Sequence, residues 1–479
     1  MDRALYFAAL FVVLLAAMPP TGILSGNEEN YFGLAARSAG ALGGGPYSAL
    51  FDGSHHRFLN EFLLGNLIRA VGFEAAQIAA RLVAALGYTI ALGLWFRSLG
   101  LRLVDAVIVL LVFLAFGQTL MGGEWLFGGY EGKVAAYIFV LLGLYALLIR
   151  RARVWGALAF AAATYFHFLV GGFWFAAALL FLILDRAGWR PIALAVALYL
   201  AAILPLLVVI GWDRIHDLAP TDYAGPTPDQ IYAFIRSPHH VAPFLTGSGF
   251  ETQWLPGLVV AALMALAAFR FPGHRAVAIW LAVLLLYLLV AAAASWFDRD
   301  TGWLGKFYLF RPASLILLLW LGLAATLLSA LPSRPAWLIR VTFFVAAAPG
   351  FILGVTGIEF GPKPTPRIYA AIIEETPPSK IVLIDPALEH RYFDFERRTG
   401  RPSLVAWKFD NTNDRDIVEW RRRMEFRAAL FGQGCAFPLP YAVAYLVTAP
   451  EQADAVARSC GLVAYRGEEA ALIYVHPRE

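Results

Sequence analysis

Charged residues are scarce in this sequence. Asp, Glu, Lys and Arg make up 15% of its 479 residues, whereas a soluble globular protein has about 25%. The formal net charge of +4 is small and is not gathered into a basic patch, which argues against nucleic acid as a partner. Hydrophobic residues reach 60% of the chain. The composition therefore excludes an ordinary soluble protein and predicts a membrane protein.

Motifs of the common soluble enzymes are missing as well. The sequence has no P-loop, no Rossmann glycine pattern, no Ser-His-Asp order and no zinc-ligand spacing. It has only two cysteines, Cys435 and Cys460, and both lie near its C-terminal end. Candidate chemistry must therefore be sought in acids, bases and histidines beside the apolar segments.

Long apolar runs recur through the first 357 residues. Because a straight membrane helix needs about 20 such residues, the short runs between 154 and 184 predict two short or re-entrant helices. The first run is too long, and its ends too bulky, for a cleaved signal peptide, so we expect it to be retained. The runs predict eleven spans, near residues 4–24, 75–96, 103–120, 134–149, 154–168, 170–184, 191–211, 255–270, 275–296, 308–330 and 337–357.

Arginine and acid placement predicts the orientation. Arginines cluster in the short turns between alternate spans, while most acids lie in the other loops. This is the positive-inside pattern, which places the N-terminus in the cytoplasm; an odd number of spans then places the C-terminal segment outside. The predicted outer loops are the long ones, so polar chemistry is expected on the outer face. They are residues 25–74, 121–133, 212–254 and 297–307.

The first predicted outer loop carries two notable features. Residues 56–72 form an amphipathic pattern typical of a helix at the membrane interface, with Arg57 and Glu61 on its polar side. Glu28 and Glu29 follow the first span directly. Carboxylates at a lipid–water boundary indicate proton abstraction or cation binding. The alternative is that they occupy the first turn of a helix capped by Asn27.

Residues 121–133 form a glycine-rich outer loop. Glu124, Glu131 and Lys133 lie there, where they provide a second acidic group facing the first loop and a cation for a phosphate. Simple ion pairing of Glu131 with Lys133, or snorkelling of Lys133, remains an alternative. His167 lies among aromatic residues at the predicted outer end of a helix pair; it either faces a cavity or serves as a hydrogen-bonded packing residue.

Further cationic candidates lie later in the chain. Arg236, His239 and His240 form a compact group of donors suited to a phosphate or to sugar hydroxyls, or else a solvated loop. Adjacent histidines alone are a poor metal motif. Arg311 follows an aromatic segment and begins a span, where it can grip a lipid phosphate with two hydrogen bonds or simply snorkel.

After residue 358 the composition changes to that of a small soluble α/β domain. The pattern predicts helices over 368–375 and from 414 to about 430, with strands at 380–384, 442–448 and 470–475. In an oxidising compartment Cys435 and Cys460 are candidates for a disulfide; two buried free thiols are the alternative. We therefore divide the chain into a membrane domain at 1–357 and an outer domain at 358–479.

These parts together resemble the GT-C superfamily of integral-membrane glycosyltransferases. The resemblance lies in the order of elements: one span, then an acidic outer motif with an interfacial helix, then alternating short and long loops, and finally an outer α/β domain. Residues 130–148 look like the fourth-span region of bacterial members, and residues 167–172 are similar to their following helix. The resemblance covers most of residues 1–357 through short, degenerate motifs.

The resemblance implies sugar transfer from a polyprenyl-phosphate or polyprenyl-diphosphate carrier to a glycan, lipid or protein acceptor outside a bacterial inner membrane. Members use an acid in the first outer loop as the base, usually Asp, and Glu28 and Glu29 hold the matching positions. Lys133, Arg236 and Arg311 are then expected at the carrier phosphate. No cofactor is certain, and a divalent metal is left open. Two other functions remain: a lipid-linked glycan transporter and a non-catalytic subunit of an envelope glycan assembly machine.

Overall fold

The computed structural model describes residues 3–42, 48, 55–269, 275–329, 333–361, 363–408, 413–436 and 438–476. Its first part is helical. In chain order the helices are α1 (Arg3–Ala17), α2 (Gly26–Ser38), α3 (Phe58–Val71), α4 (Phe73–Ser98), α5 (Leu103–Ala115), α6 (Gly132–Leu144), α7 (Arg153–Phe166), α8 (Phe168–Leu184), α9 (Trp189–His216), α10 (Pro228–Gln230), α11 (Pro238–Val241), α12 (Leu255–Phe269), α13 (Arg275–Phe297), α14 (Ala313–Ser329) and α15 (Ser333–Thr356).

Each of the eleven predicted spans coincides with one helix. Five helices in the described ranges are long and apolar enough to cross a membrane, namely Phe73–Ser98, Gly132–Ile149, Trp189–His216, Ala278–Phe297 and Arg334–Thr356. α1, α5, α8 and α14 are apolar but shorter, and α7 and α12 complete the set. The chain is a polytopic α-helical membrane protein, as its composition predicts.

The predicted pair of short helices between 154 and 184 is also present. α7 and α8 are separated by a single residue, His167, whose backbone is extended with φ −158° and ψ 105°. An extended residue cannot continue a helix, so the chain turns there. The close approach of the two helices places Thr164 against Gly171, where an added Cβ would lie 2.3 Å from the Thr164 nitrogen.

Helix α3 matches the predicted interfacial helix. Phe58, Phe62 and Leu63 are exposed apolar side chains on it, while Asn60 and Leu64 are buried against the rest of the protein. An exposed apolar face beside a polar one suits a helix lying at the lipid surface. Residues 43–47 and 49–54 of the same loop lie outside the described residues.

The C-terminal part forms what we call the α/β unit, residues 367–476. It contains four helices and a four-stranded sheet in the order β1-β2-β4-β3, in which β1 and β2 are parallel and the other neighbours antiparallel. The elements are α16 (Arg367–Glu375), β1 (Ile381–Ile384), α17 (Phe395–Thr399), α18 (Asp414–Gln433), β2 (Val443–Thr448), α19 (Ala453–Cys460), β3 (Gly461–Arg466) and β4 (Ala471–Val475).

Side chains alternate across this sheet and build a core on each face. On β1, Ile381 and Leu383 pack with Trp420 of α18, whereas Val382 and Ile384 pack on the other face. Helices on both faces explain why every residue of β1 is buried. The structure joins Cys435 to Cys460 by a disulfide, with Cα atoms 5.1 Å apart, which ties the end of α18 to the end of α19.

The α/β unit packs on the side of the helices where the long loops gather. Ile231 and Tyr232 of the third long loop belong to its hydrophobic core. Asp217 accepts hydrogen bonds from the backbone at the start of α18, 2.7 Å from the Asp414 nitrogen. Lys306 also forms an ion pair with Asp414. The loops and the α/β unit therefore form one continuous polar layer above the membrane helices.

Candidate active site

Helix α2 begins in a capping box. Ser25, rather than the expected Asn27, is the N-cap: its side chain accepts a hydrogen bond from the Glu28 backbone, and the Glu28 carboxylate accepts one from the Ser25 backbone at 2.8 Å. Serine followed three residues later by glutamate satisfies two otherwise unpaired backbone donors. Glu28 and Glu29 therefore both lie in the first turn of α2, but they face different surroundings.

Glu28 is fully buried and its hydrogen-bonding capacity is used within the protein. Arg81 of α4 grips it with two hydrogen bonds of 2.8 and 2.5 Å, and the Tyr130 backbone donates a third at 2.7 Å. A Cβ at Gly129 would approach the Glu28 carboxyl carbon to 3.3 Å, so the absence of a side chain allows this loop to reach the helix. These contacts favour the capping alternative for Glu28.

Glu29 faces the α/β unit instead. Arg397 of α17 holds it with hydrogen bonds of 2.6 Å from Nη2 and 2.8 Å from Nε. Burial raises the pKa of Glu29 to about 7, although the Arg397 charge acts in the opposite direction. A carboxylate that changes protonation near neutral pH is suited to accept a proton.

Glu29 lines a cavity of about 1080 Å³ between α2 and the α/β unit, which we call the interface cavity. Trp125 and Phe127 contribute from the helical region, and Phe393 and Trp407 from the α/β unit. Aromatic walls with a few polar groups are typical of a small-molecule or glycan site. The volume is sufficient for a saccharide or for a segment of a larger acceptor.

A second group of charges, which we call the ion cluster, adjoins the interface cavity at Trp125, whose ring contacts Lys133. It consists of Glu124, Glu131, Lys133, His167 and Arg311. Lys133 pairs with Glu124 at 2.7 Å and with Glu131 at 3.0 Å. Arg311 contacts Glu124 at 3.1 Å and the His167 ring at 2.7 Å. The structure therefore brings together residues predicted from three separate parts of the sequence.

The ion cluster is largely neutralised internally. Burial alone would raise the pKa of Glu124, but the adjacent Lys133 and Arg311 charges outweigh burial and hold this pKa well below its usual range. Two carboxylates balance two cations, with His167 as a further partner. His167 and Arg311 also line a smaller cavity of about 360 Å³, together with Arg57 and Tyr31. Tyr31 follows Glu29 by two residues, so the first turns of α2 lie between the two cavities.

The predicted donor group of the third long loop lies near the interface cavity. Arg236 lies close enough to His239 and Lys408 for its charge to act on both, and partial burial together with that charge lowers the pKa of each. His240 is turned away: its Nδ1 donates to the Gly122 carbonyl, and burial lowers its pKa to about 4. Charges of the loop 121–133 also reach this group, since Glu124 acts on His239 and Lys133 acts on Lys408.

Three residues of this site were missed by sequence reasoning. Arg81 lies within α4, where the sequence shows only an isolated charge in an apolar span. Arg397 lies in a charged run of the α/β unit. Lys408 donates a hydrogen bond of 2.9 Å to Asn27 and lines the interface cavity. A buried arginine inside an apolar span is itself a signal for an acidic partner, which could have indicated Arg81.

The divalent metal that the sequence left open finds no ready ligand set in the part of the chain that the structure describes. There, no group of three or more His, Cys, Asp or Glu residues is placed to hold a metal ion. Glu124 and Glu131 are instead both turned towards Lys133.

Comparisons with known proteins give a likeness in structure alone. No protein-family model and no curated protein sequence matches the chain. The crystal structure of ArnT from Cupriavidus metallidurans bound to undecaprenyl phosphate is 14% identical, with a TM-score of 0.41 over 99% of both chains. The archaeal oligosaccharyltransferase AglB from Archaeoglobus fulgidus, in complex with an inhibitory peptide and a dolichol-phosphate, is also 14% identical. Its TM-score is 0.52 over 94% of this chain and 70% of that one.

The second likeness shows a shared fold across nearly the whole chain. The chain therefore has the GT-C fold that the sequence resemblance predicts: a polytopic helical membrane region followed by a small α/β unit on the side of the long loops.

Proposed function

We propose that this protein transfers a sugar from a polyprenyl-phosphate carrier to an acceptor hydroxyl at the outer face of a bacterial inner membrane, with Glu29 as the general base. The observation that carries the proposal is the position of Glu29. Its carboxylate lies in the wall of the interface cavity, at the boundary between the membrane helices and the α/β unit. ArnT and AglB, which are similar to this chain, hold polyprenyl-type phosphates in their structures.

Glu29 is a better candidate than Glu28 for a geometric reason. Glu28 already accepts two hydrogen bonds from Arg81 and two from backbone donors, and it has no exposed surface. Glu29 is held by Arg397 from one side and retains acceptor capacity towards the cavity, because a carboxylate offers about four lone-pair positions. Glu29 combines a place in the cavity wall with a pKa that burial raises to about 7.

The transfer step is an attack by the acceptor oxygen on the anomeric carbon of the donor sugar. Glu29 takes the hydroxyl proton as the new carbon–oxygen bond forms. The bond between the anomeric carbon and the carrier phosphate breaks, and the polyprenyl phosphate leaves with the electron pair. Glu29 then releases its proton to water. Cations near the leaving phosphate lower the barrier because they stabilise the charge that develops on it.

Lys408 and Arg236 are proposed as the groups nearest that charge. Partial burial and repulsion by the Arg236 charge lower the pKa of Lys408, which lines the interface cavity, whereas the acids Glu124 and Glu131 both pair with Lys133. An anion placed near Lys408 relieves this repulsion. Arg311, Lys133 and His167 then act indirectly, as part of the ion cluster next to the site.

The lipid-linked donor is proposed to arrive from the bilayer. The smaller cavity is lined by Arg311 and His167 and also by apolar side chains, namely Leu169 and Ile210 of membrane helices and Trp303 of the loop 297–307. A polyprenyl chain has to remain in lipid while its phosphate reaches the polar layer. The α/β side of the molecule is accordingly proposed to be the outer side, with the N-terminus in the cytoplasm and residues 358–479 as the outer domain.

Sugar transfer by the purified full chain tests this proposal. The protein is reconstituted in nanodiscs with undecaprenyl-phosphate-linked hexose, aminohexose or pentose, and an envelope extract supplies the acceptor. Release of undecaprenyl phosphate measures turnover. Glu29→Gln keeps the size of the side chain and removes its basicity, so turnover falls by about 100-fold or more while undecaprenyl phosphate still binds.

The matched control is Glu251→Gln, which removes an exposed acid of the third long loop and leaves turnover unchanged. Full turnover by Glu29→Gln would rule out the assigned base. A wild-type protein that moves lipid-linked sugar across a bilayer without transferring it would indicate the transporter. Loss of envelope glycan that is restored equally by wild type and Glu29→Gln would indicate a non-catalytic subunit.

A further inference from the structure

The first turn of α2 and the short helix α17 meet across the boundary between the helical region and the α/β unit. Glu29 and Arg397 are separated by 368 positions in the chain. Their contact uses two different guanidinium nitrogens on two different carboxylate oxygens, at 2.6 and 2.8 Å. Such a two-pronged contact fixes the plane of the carboxylate as well as its distance.

From this geometry we infer that Arg397 is a positioning residue, which keeps Glu29 ionised and oriented towards the interface cavity. The α/β unit then contributes a residue to the active site as well as one wall of its cavity. The inference rests on the proposed role of Glu29 as the base and adds a second requirement, namely that the base depends on a residue of another structural unit.

Arg397 is itself held firmly in this position. Its third nitrogen, Nη1, donates to Glu74 of α4 at 3.1 Å, and its guanidinium lies 5.5 Å from the centre of the Phe73 ring. Asp394 lies 3.9 Å away on its own unit. The side chain therefore bridges α2, α4 and α17, and a guanidinium with this many partners is preorganised for one geometry.

The remaining charges around Glu29 leave Arg397 as its main stabilising partner. The charged and titratable groups that face Glu29 or share its cavity are Glu28 on α2, Glu74 on α4, Arg397 and Asp394 at α17, and Glu389, His390, Tyr392, Glu396, Lys408 and Arg427 around the cavity. Glu28 and Asp394 are acids and disfavour the charged form of Glu29. Arg427 pairs with Glu389 at 2.7 Å, and Lys408 contacts Asn27.

Loss of Arg397 has a defined consequence for Glu29. A carboxylate with little solvent exposure and acidic neighbours takes up a proton when its cation is removed. A protonated Glu29 cannot take up the proton of the substrate hydroxyl that attacks the sugar. A variant without Arg397 should therefore lose transfer near neutral pH and regain it at higher pH, which a purely structural contact would not produce.

The first experiment reads the protonation of Glu29 directly and needs no substrate. Infrared difference spectra between the full chain and its Glu29→Gln variant isolate the carboxyl band of Glu29. The wild-type band titrates with a midpoint near pH 7. In Arg397→Gln the midpoint moves upward by about one pH unit or more, the effect of removing an opposite charge at hydrogen-bond distance.

The second experiment follows the rate of sugar transfer as a function of pH. The acid limb of the Arg397→Gln profile moves in parallel with the infrared midpoint: the rate falls about fivefold or more at pH 7 and recovers towards pH 9. Arg458→Gln, which removes an exposed arginine from α19, serves as the matched control and keeps the wild-type profile. Arg397→Lys retains the charge without the two-pronged contact and gives an intermediate shift.

The outcomes separate this inference from the proposed function. If Glu29→Gln abolishes transfer but Arg397→Gln leaves both the infrared midpoint and the acid limb at their wild-type positions, the positioning role is refuted and the base assignment stands. If Glu29→Gln transfers sugar normally, the proposed function fails whatever the titration shows. If Arg397→Gln does not accumulate as folded protein, Arg397→Lys decides the question, and an unshifted midpoint in that variant overturns the inference.

Discussion

Glu28 and Glu29 are neighbours in one helical turn, and their surroundings differ in almost every respect. Glu28 points into the helical region, where Arg81 and backbone donors enclose it without a cavity. Glu29 points towards the α/β unit and borders the interface cavity. A rotation of about 100° per residue along a helix is enough to place one acid in a sealed structural pair and the next at a cavity.

The ion cluster resembles Glu28 in this respect, because its charged groups are also enclosed by partners within the protein. Its acids and cations form ion pairs with one another, so the cluster as a whole is close to neutral. At the interface cavity, by contrast, Glu29 is paired with Arg397 of the α/β unit, and Lys408 donates a hydrogen bond to the neutral side chain of Asn27. The difference indicates that two neighbouring polar groups have different roles, and that the partners of a charged side chain are more informative than its presence.

The largest expected effect on stability comes from breaking the buried ion pair between Arg81 and Glu28. Arg81→Met leaves Glu28 buried without its cation, so the free energy of unfolding should fall by about 3–5 kcal/mol. Thermal unfolding in detergent measures it. Arg397→Met should cost clearly less, because Glu29 borders a cavity and can take up a proton. Equal losses in the two variants would contradict the contrast between the two acids.

The disulfide provides the next test. Replacing Cys435 and Cys460 by Ala removes a cross-link over 25 positions, which should lower the stability of the α/β unit by about 3 kcal/mol in the chain-entropy model. Chemical denaturation with a spectroscopic signal from that unit reports the change. The fraction that remains folded should transfer sugar at the wild-type rate, because the bond joins α18 to α19 and not α17 to Glu29. A selective loss of turnover would show that the site depends on this link.

The pH dependence distinguishes the two acids next. A base with a pKa of about 7 is protonated below that value, so transfer should rise with pH through 7 and fall about tenfold between pH 8 and pH 6. The linked stability runs the other way: because the folded pKa of Glu29 exceeds its unfolded value, Glu29 contributes most below the unfolded pKa of 4.5 and loses that contribution as pH rises through 7. A rate that stays flat between pH 6 and pH 8 would exclude Glu29 as the titrating base.

The smallest effect is expected at the rim of the cavity. Lys408→Ala should weaken binding of undecaprenyl phosphate about three- to fivefold, since Lys408 is exposed and its charge is screened by solvent. Fluorescence or calorimetric titration of the reconstituted chain measures the affinity. Lys380→Ala, another exposed lysine of the α/β unit, should leave the affinity unchanged. Equal effects of the two substitutions would place the carrier phosphate elsewhere.

The helices were predictable because their signal is local. An apolar run of the right length is sufficient to locate a membrane helix, and all eleven runs became helices. Strand β3 was missed because Gly461–Arg466 is an edge strand with mostly exposed residues, and its alternation is interrupted where Val463 and Tyr465 pair irregularly with β4. The start of α2 was predicted two residues late, at Asn27, although Ser25 followed three residues later by Glu28 is a capping-box pattern that the sequence itself contains.

The candidate site was predictable only in part. Sequence reasoning identified Glu28, Glu29 and the ion cluster from their position at the ends of spans. It could not rank Glu28 against Glu29, because the ranking depends on Arg81 and Arg397, which are 53 and 368 positions away. No periodic pattern records such distant pairs. The grouping of Arg236 with Lys133 and Arg311 likewise failed to anticipate that Glu124 already engages the latter two.

The separation of Glu29 from Arg397 along the chain also has a consequence for biosynthesis. A ribosome delivers Glu29 at the beginning of translation and Arg397 only after all eleven apolar helices have been made. A nascent or prematurely terminated chain therefore contains the acid without its arginine. Such a chain also lacks the α/β unit that forms one wall of the interface cavity, so the proposed catalysis is expected only when synthesis is nearly complete and the last unit has folded onto the rest.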